Sequence, residues 1–478
     1  MLIGGKKIVF NTLWLMMSSL TNVGISILTT SLIARSIGPS LYGRYTFGLS
    51  YIYFVSVLAN FGLESFFVRE AARDRKNLEV ANDIFHLKIV LAVFTSSAAV
   101  LSAMLLGYPE ETLRVIYIFG IGLFFQILYE SLMSIYRSSE RIHIMAIFST
   151  AFRVVSALII IISIYSGVGF IGIVCAFSIT NFIVFVSGLI LAYKDYGLPN
   201  FQVHPANWMN LIRHGMPFYL SALLTMFYAR INVLILSKVV DEAQMGFYMA
   251  SLNLVENLFF LITAFNTSIF PAFSRIFGAS FEALKMTYEK IAKYLIIIGA
   301  AVCVGTLLVA EKIVVLIYGR DFVSAAPLLK VLVFFWACTF VSNIQSNLLF
   351  SIGKEKAQVK IMAMACIISV VTNTIFINLF GTLGAAYSLL FAEGLVVAVI
   401  TYLLWRSNLR YKPDLYLLRA VVPVGLMVVI VRVLLEVNIF LAIIAGCITY
   451  LFFLFVAKVF DPLDISYMKA LIGRRVGS

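Results

Sequence analysis

Five charged side chains interrupt stretches that are otherwise apolar: Glu130, Arg153, Arg230, Glu256 and Glu393. A charge at the centre of a bilayer costs on the order of 3 kcal/mol, so each needs a partner or a wet cavity. Arg230, within FYARINVLIL, lies about two-thirds of the way along its apolar run, too deep to reach the interface easily. Glu256 is flanked by Asn253 and Asn257. Two kinds of chemistry suit such groups. They can line a passage for an anionic solute, with Arg230, Arg153 and Asn253 as contacts and Glu256, Glu130 or Glu393 taking up a proton or a sodium ion. They can equally hold helices together as ion pairs, Arg153 with Glu130 being the obvious one.

Polar residues at helical spacing extend the pattern. Asn11, Ser18, Asn22, Ser26 and Thr29 form one stripe, and Ser221, Thr225, Tyr228 and Asn232 form another. These runs open the two related parts of the chain, so the stripes are expected to face each other across a central cavity, with Asn22 and Asn232 among its polar contacts. Arg230 falls off its stripe by helical-wheel angle. Serine and threonine also join helices in membranes, which is the plainer use of both stripes.

Signatures of catalysis are missing: the sequence has no G-x-x-x-x-G-K-[ST], H-E-x-x-H or G-x-S-x-G pattern and no Cys/His cluster. The expectation is a chain that is not an enzyme, with no metal and no cofactor. Without a phosphate loop, ATP does not drive it directly; a gradient, the membrane potential or substrate supply must. The histidines, His86, His143, His204 and His214, fall on the side read below as cytoplasmic. Five isolated cysteines inside apolar runs read as packing residues. The Asn266-Thr-Ser268 glycosylation pattern lies inside a helix and is discarded.

The elements that must position these residues are legible from composition. The 478 residues are 62% hydrophobic and 12% charged, against roughly a quarter charged in soluble domains. Apolar runs of about 18–25 residues cover most of the chain, the length that crosses a hydrocarbon core as helix. Period-2 alternation is absent, which excludes a β-barrel. The predicted fold is an all-α integral membrane protein with fourteen transmembrane helices, near 9–33, 44–63, 84–106, 113–135, 144–165, 170–193, 215–237, 246–268, 291–310, 326–349, 359–379, 384–405, 415–436 and 439–458.

Charge sets the orientation. Of 36 Lys and Arg, roughly 27 fall on one side if the N-terminus is cytoplasmic, including Lys6, Lys7, Arg69, Arg73, Arg75, Lys76, Lys412, Arg474 and Arg475. Both termini are therefore expected inside, in the cytoplasmic (plasma) membrane. The net charge of +13 then meets anionic headgroups of membrane lipid rather than nucleic acid. The run after Lys6-Lys7 is too long for a signal peptide and lacks a cleavage site, so it reads as a retained anchor. The amphipathic stretch Phe281–Tyr294, with Lys285, Glu289, Lys290 and Lys293, reads as a solvated or interfacial face.

The chain also repeats itself. SLIARSIGPSLYGRYTFGLSYI near 31–52 aligns with ILSKVVDEAQMGFYMASLNLVE, pairing Arg35 with Lys238, Gly43 with Gly246 and Tyr45 with Tyr248. Gly169 and Gly172 align with Gly381 and Gly384, and Glu140 with Glu355. Six spans separate the copies, so both enter from the same face, as parallel repeats about an axis along the membrane normal. The expected organisation is an N-terminal six-helix bundle over 1–193, a cytoplasmic hinge linker over 194–214, a C-terminal six-helix bundle over 215–405, and two additional helices with a cytoplasmic tail over 406–478. The bundles are related by a pseudo-two-fold. Two related membrane halves usually enclose a solute site, which points to a transporter.

Four segments carry a family resemblance: IARSIGPSLYGRY, REAARDR at 69–75, PFYLSALLTMFYARINVLILSKVV, and EKIVVLIYGRDFVSAAPLL at 311–329. In order and spacing they resemble the Wzx-type polysaccharide flippases of the multidrug/oligosaccharidyl-lipid/polysaccharide exporter superfamily, along nearly the whole chain. The resemblance implies two six-helix bundles in a V that open alternately to each side. It implies a polyprenyl-phosphate- or pyrophosphate-linked oligosaccharide as substrate, and a glycan polymerase or transferase of the same pathway as a possible partner. Arg35 and Arg44, flanking the first repeat turn, could meet phosphate on release or simply anchor at the interface. The lipid II flippase branch carries an Asp-Arg pair where this chain has Ser251-Leu252. The multidrug branch carries acids in the first helix, which here has none. Lipid II flipping, cation-coupled drug antiport and a scaffold for glycan assembly remain the alternatives.

Overall fold

The computed structural model describes residues 2–71, 78–139, 141–197, 199–200, 202–263, 265–266, 273, 276–277, 280–410, 418–457 and 459. Arg73, Arg75, Lys76, Glu140, Lys412, Arg474 and Arg475, and the side chains of Lys6, Lys7, Asn11 and Ser18, lie outside the described residues. Every regular element among those described is helical. Bonding each N–H within its own segment is what a hydrocarbon environment demands of a chain.

The first helix, Leu2–Ser56, bends at Gly38 (φ 73°, ψ 176°) just before Pro39, giving arms α1 (residues 2–37) and α2 (residues 39–56). Pro39 lacks an N–H to continue the ladder, and Gly38 supplies a backbone angle that other residues avoid. Then follow α3 (Leu63–Ala71), α4 (Leu78–Leu105), α5 (Glu110–Ser138), α6 (Ile142–Tyr165) and α7 (Gly169–Tyr196). α8 (Trp208–Leu236) leads to α9 (Glu242–Asn257), which starts where the Asp241 carboxylate accepts from Gln244 N. α10 is Phe281–Tyr318 and α11 is Ala326–Ser351. The helix Glu355–Arg406 bends at Gly381 (φ 57°, ψ −132°) into α12 (residues 355–380) and α13 (residues 382–406). α14 (Val421–Leu435) and α15 (Ile439–Val456) follow.

Eleven helices among the described residues are long and apolar enough to cross a membrane, so the chain is a multi-pass membrane protein. These eleven do not separate into the fourteen spans expected, for two physical reasons. Glu355–Arg406, with 52 residues, would run about 78 Å if straight, more than twice a hydrocarbon core, and its bend makes it two arms; Leu2–Ser56 behaves likewise. α14, at 15 residues, is short for a span. The stretch Phe281–Tyr294 is no separate surface helix: it runs unbroken into α10, and Lys293 is 5% exposed. Of the solvated or interfacial face expected, only Lys293 departs by turning inward; Lys285, Glu289 and Lys290 are half-buried.

Contacts divide the chain into two compact units. The first comprises Met1–Phe260, Ile317–Phe322 and Met362–Ser388; the second comprises Leu261–Leu316, Val323–Ile361 and Leu389–Ser478. In the first, α4, α5 and α7 pack around Phe119 and Phe177, whose rings meet edge-on 5.2 Å apart. In the second, α14 and α15 pack on α10 through Ile297, Val309, Met427, Val431, Tyr450 and Leu454, and Tyr450 donates to Ile297 O at 2.8 Å. Side chains such as Leu158, Ile162, Ile190 and Ile448 face outward, as lipid-facing positions do.

The repeat is visible in backbone geometry. Gly169 (φ 74°) and Gly381 (φ 57°) both adopt positive φ, and so do Gly107 (φ 67°) and Gly319 (φ 98°). The latter pair is an echo the sequence reading missed. Arg35 Nε donates to Ile317 O at 3.0 Å, and its repeat partner Lys238 donates through Nζ to Leu106 O at 2.6 Å. Each cation thus caps a carbonyl one or two residues before the equivalent glycine of the other repeat.

Candidate functional site

A cavity of about 460 Å³ lies inside the first unit, walled by α1, α2, α6, α9, Phe177 of α7 and one residue of α8. Three charged residues line it: Arg153, Arg230 and Glu256. Two positive charges and one negative leave the walls with one formal positive charge. Ser26, Thr29 and Thr30 of α1 face it with the phenols of Tyr42, Tyr45 and Tyr53 on α2, and Asn253 and Asn257 on α9. Serine, threonine, tyrosine and asparagine here offer both donors and acceptors, the lining a hydroxyl-rich solute would use.

The charges are not paired as the sequence suggested. Arg230 NH1 donates to Glu256 Oε1 at 3.1 Å, with side chains 20% and 34% exposed. Arg153, expected to bind Glu130, has no hydrogen-bond or ion-pair partner among the described residues and is exposed on the cavity wall. Glu130 instead accepts from Gln126 Nε2 at 2.8 Å and lines a separate small cavity. The reason is angular: helical spacing places both residues deep but does not say which way α5 and α6 turn them.

Neither does the α8 stripe face the cavity. Asn232 is fully buried and donates to the Tyr248 hydroxyl, and of α8 only Arg230, the residue off the stripe, is on the cavity wall. The expectation of matched stripes therefore holds on α1, through Ser26 and Thr29, and fails on α8, where the wall is the face its neighbours leave open. Asn22 donates to Ser149 Oγ at 2.8 Å, tying α1 to α6, and is not among the lining residues. Asn253 lines the cavity and donates to the Tyr42 hydroxyl at 3.0 Å. Glu393, in the second unit, is 4% exposed and accepts from Ser342. No group of three or more His, Cys, Asp and Glu suited to a metal occurs among the described residues.

At each end of the cavity-lining part of α2, the backbone comes within touching distance of the second repeat. A Cβ built on Gly43 would lie 1.9 Å from Glu242 O, and one on Gly246 would lie 2.1 Å from Pro39 O. The repeat-related glycines thus let α2 and α9 cross with nothing between them. Past the other end, a Cβ on Gly62 would lie 2.2 Å from Gly215 O, and one on Gly215 would lie 2.1 Å from Phe61 O. Nineteen residues at about 1.5 Å each put the two crossings about 28 Å apart, close to a hydrocarbon thickness.

Side chains secure the first crossing with charge. Arg44, far from free, donates to Glu242 through Nε at 2.8 Å and NH2 at 3.0 Å, and also pairs with Glu111. Ser40 donates to the same Glu242 at 3.0 Å. Beside them, Lys238 Nζ lies 3.4 Å from the centre of the Tyr108 ring, and the Tyr108 and Ser237 hydroxyls are 3.0 Å apart. Burial pushes the Lys238 ammonium below its ordinary range and the Tyr108 phenol above its own. The second crossing is aromatic: Phe61 stacks on Tyr219 at 4.8 Å, Phe66 stacks on His214 at 5.6 Å, and the Arg69 guanidinium lies 5.2 Å over Phe218.

Described residues of the linker before α8 are hydrogen-bonded to α4. Asn82 Nδ2 donates to Asn200 Oδ1 at 2.8 Å and to Gln202 O at 2.6 Å, and Asn200 N donates back to Asn82 Oδ1 at 2.9 Å. Asp83, 3% exposed, receives Asn207 Nδ2 at 2.9 Å and meets His204 Nδ1 at 3.1 Å.

Comparison with known proteins gives the following. The model of the family described as polysaccharide biosynthesis protein matches residues 8–277. A Shigella dysenteriae protein named for O-antigen transport is 22% identical over 358 residues, spanning 72% of this chain and 86% of its own length. Among solved structures, lipid II flippase MurJ in an inward closed conformation superposes with a TM-score of 0.76 at 13% identity, covering 94% of this chain and 99% of that one. An inward-facing multidrug resistance MATE family transporter of the MOP superfamily superposes with a TM-score of 0.62 at 17% identity, covering 82% and 94%. At these identities the structures show a common fold.

Proposed function

We propose that this chain, which belongs to the polysaccharide biosynthesis protein family, is a flippase that moves a lipid-linked oligosaccharide across the membrane by alternating access. The observation that carries this reading is the cavity: Arg153, an arginine without an ion-pair partner among the described residues, faces a space lined by hydroxyls and amides together with the Arg230–Glu256 pair and apolar side chains. An uncompensated guanidinium next to hydroxyl-rich walls suits a phosphate joined to a glycan, the phosphate taking charge-assisted hydrogen bonds. A polyprenyl phosphate or pyrophosphate carrier fits that chemistry, its tail staying in the bilayer.

Arg153 binds the phosphate in this reading, and Arg230 joins when the incoming anion displaces Glu256. Asn253 contacts the glycan, while Asn22 and Asn232 hold helices in place rather than touching it. Arg44 belongs to the closed crossing and becomes available to phosphate only when that crossing opens; Arg35 stays with its carbonyl. The termini and the linker lie on the cytoplasmic side of the plasma membrane. The two six-helix repeats, 1–193 and 215–405, rock about the crossings, and a proton or sodium ion held by Glu256, Glu130 or Glu393 biases the cycle. A polymerase or transferase acting on the same glycan would take the flipped product.

The test is a strain lacking the gene. Lipid-linked oligosaccharide should build up on the cytoplasmic face and surface glycan should disappear, both corrected by the gene and not by Arg153→Ala at equal protein level. Unchanged surface glycan with new drug sensitivity would turn the reading to multidrug export, and build-up of lipid II to the peptidoglycan branch.

A further inference from the structure

Of the three carboxylates set in membrane-spanning helices and considered above, Glu256 is answered by a cation, and Glu393 is buried at 4% exposure. Glu256 accepts from Arg230, and Glu393 accepts from Ser342 inside the second unit. Glu130 is different. Its one hydrogen bond among the described residues comes from the neutral amide of Gln126, and no arginine or lysine among those residues pairs with it. Lys88, which faces the same small cavity, is already held by Glu64 at 3.1 Å, the two side chains 2% and 14% exposed. That pair is neutral as a unit, which leaves Glu130 without an ion-paired cation among the described residues.

The cavity measures about 70 Å³, where a single water needs about 10–15 Å³ by the same measure. Ser56 and Asn60 from the end of α2, Lys88 of α4, Gln126 of α5, and Ala222 and Met226 of α8 line it with Glu130. Because the Gln126 amide turns its nitrogen to the carboxylate, its oxygen is left buried without a donor. A carboxylate without an ion-paired cation, an amide oxygen without a donor, and room for a small guest describe a place for a cation. The charged groups near enough for Glu130 to feel are Glu64, Lys88 and Arg137; Tyr53 is near enough to feel both Glu130 and the cavity arginines.

We propose that this cavity is a cation-binding site, with Glu130 as principal ligand, which takes a proton or a sodium ion and thereby biases the crossing at Gly62 and Gly215. A proton would convert Glu130 to a neutral acid whose O–H donates to the Gln126 oxygen once that amide turns. A sodium ion would sit between the Glu130 carboxylate and the Gln126, Ser56 and Asn60 oxygens. The link to the crossing is built into the walls. Asn60 precedes Phe61 and Gly62, and Ala222 and Met226 follow Gly215 along α8, so filling the cavity changes how α8 seats on the end of α2. The effect on transport rests on the flippase reading; the binding of a cation does not.

The experiment uses the purified full chain in nanodiscs free of any glycan lipid. Radiolabelled sodium binding and the infrared band of a protonated carboxyl group are followed across pH for the wild type, Glu130→Gln, Glu130→Asp and Glu256→Gln. Saturable sodium binding weakened at least about tenfold by Glu130→Gln, but kept by Glu256→Gln, supports a sodium site. Absence of sodium binding, with a titrating carboxyl band lost in Glu130→Gln and shifted in Glu130→Asp, supports a proton site. If neither signal depends on residue 130 in protein that remains monodisperse, the proposal is overturned. No substrate is present, so that failure would leave the flippase reading standing, and a failed gene-deletion test would leave the cation site standing.

Discussion

At Gly43 and Gly246, α2 crosses α9 under a lattice of charges; at Gly62 and Gly215, the chain leaving α2 crosses α8 among stacked rings. The backbone device is the same in both places, a pair of glycines whose missing Cβ atoms allow contact, but the side chains differ. The charged groups hold a directed hydrogen-bonded geometry, and Arg44, 15% exposed, would be left largely desolvated if they parted, whereas Glu242 and Glu111 would return to water. Rings slide over one another with little change in energy, a stack being worth about 0.5–1.5 kcal/mol beyond its area. The aromatic crossing also carries backbone strain: Phe61, a bulky residue, sits at φ 41° just before Gly62 at φ 66°. The charged crossing thus has the chemistry of a latch, and the aromatic one the chemistry of a joint that slides. A transporter that must hold one side shut while the other admits a large solute has use for both.

The strongest way to break the comparison is to fill the glycines. Gly43→Ala puts a methyl 1.9 Å from a backbone carbonyl, and backbone cannot swing aside as a side chain can, so a loss of roughly 1–3 kcal/mol or more is expected. Thermal unfolding in detergent should show it as a lower midpoint. Gly43→Ala combined with Gly246→Ala should cost little more than either alone, because both act on one contact. Gly43→Ala combined with Gly62→Ala should cost close to the sum. Additivity in the first pair would mean the two glycines do not share a contact.

Much of this was legible in advance, and the boundary is physical. The helices follow from composition because a bilayer leaves the backbone few other options, and Gly43 and Gly246 stand out as a repeated pair. That the two glycines meet each other could not be read, since a repeat gives equivalence and not adjacency. Arg153, Arg230 and Glu256 were identifiable from the cost of burying charge. Their pairing was not: Arg153 was matched to Glu130 by depth, whereas helix rotation decides the partner and gives Glu256 to Arg230. The stripe on α1 led to the cavity and the stripe on α8 did not, for the same reason.

A smaller effect sharpens the contrast in chemistry. Arg44→Met keeps the bulk of the side chain and removes its charge from Glu242 and Glu111, which are 35% and 66% exposed. That exposure discounts the loss to about 1–2 kcal/mol. Its signature is salt: the stability gap between wild type and Arg44→Met should narrow as ionic strength rises from about 0.1 M to about 1 M, the Debye length falling from about 10 Å to about 3 Å. A gap indifferent to salt would mean that Arg44 acts through packing.

The smallest expected effect is at the aromatic crossing. Tyr219→Leu removes the ring that stacks on Phe61 at 4.8 Å but leaves an apolar side chain to fill most of its place, so about 0.5–1 kcal/mol should be lost. The same salt series should leave this gap unchanged, since no net charge is altered. Stability is not where the variant should matter most. A reporter cysteine on the α8 side of this crossing should react faster with a membrane-permeant thiol reagent in Tyr219→Leu than in the wild type, and a reporter beside Arg44 should not. Equal acceleration at both crossings would show that they open together, and the distinction between a latch and a joint would then be lost.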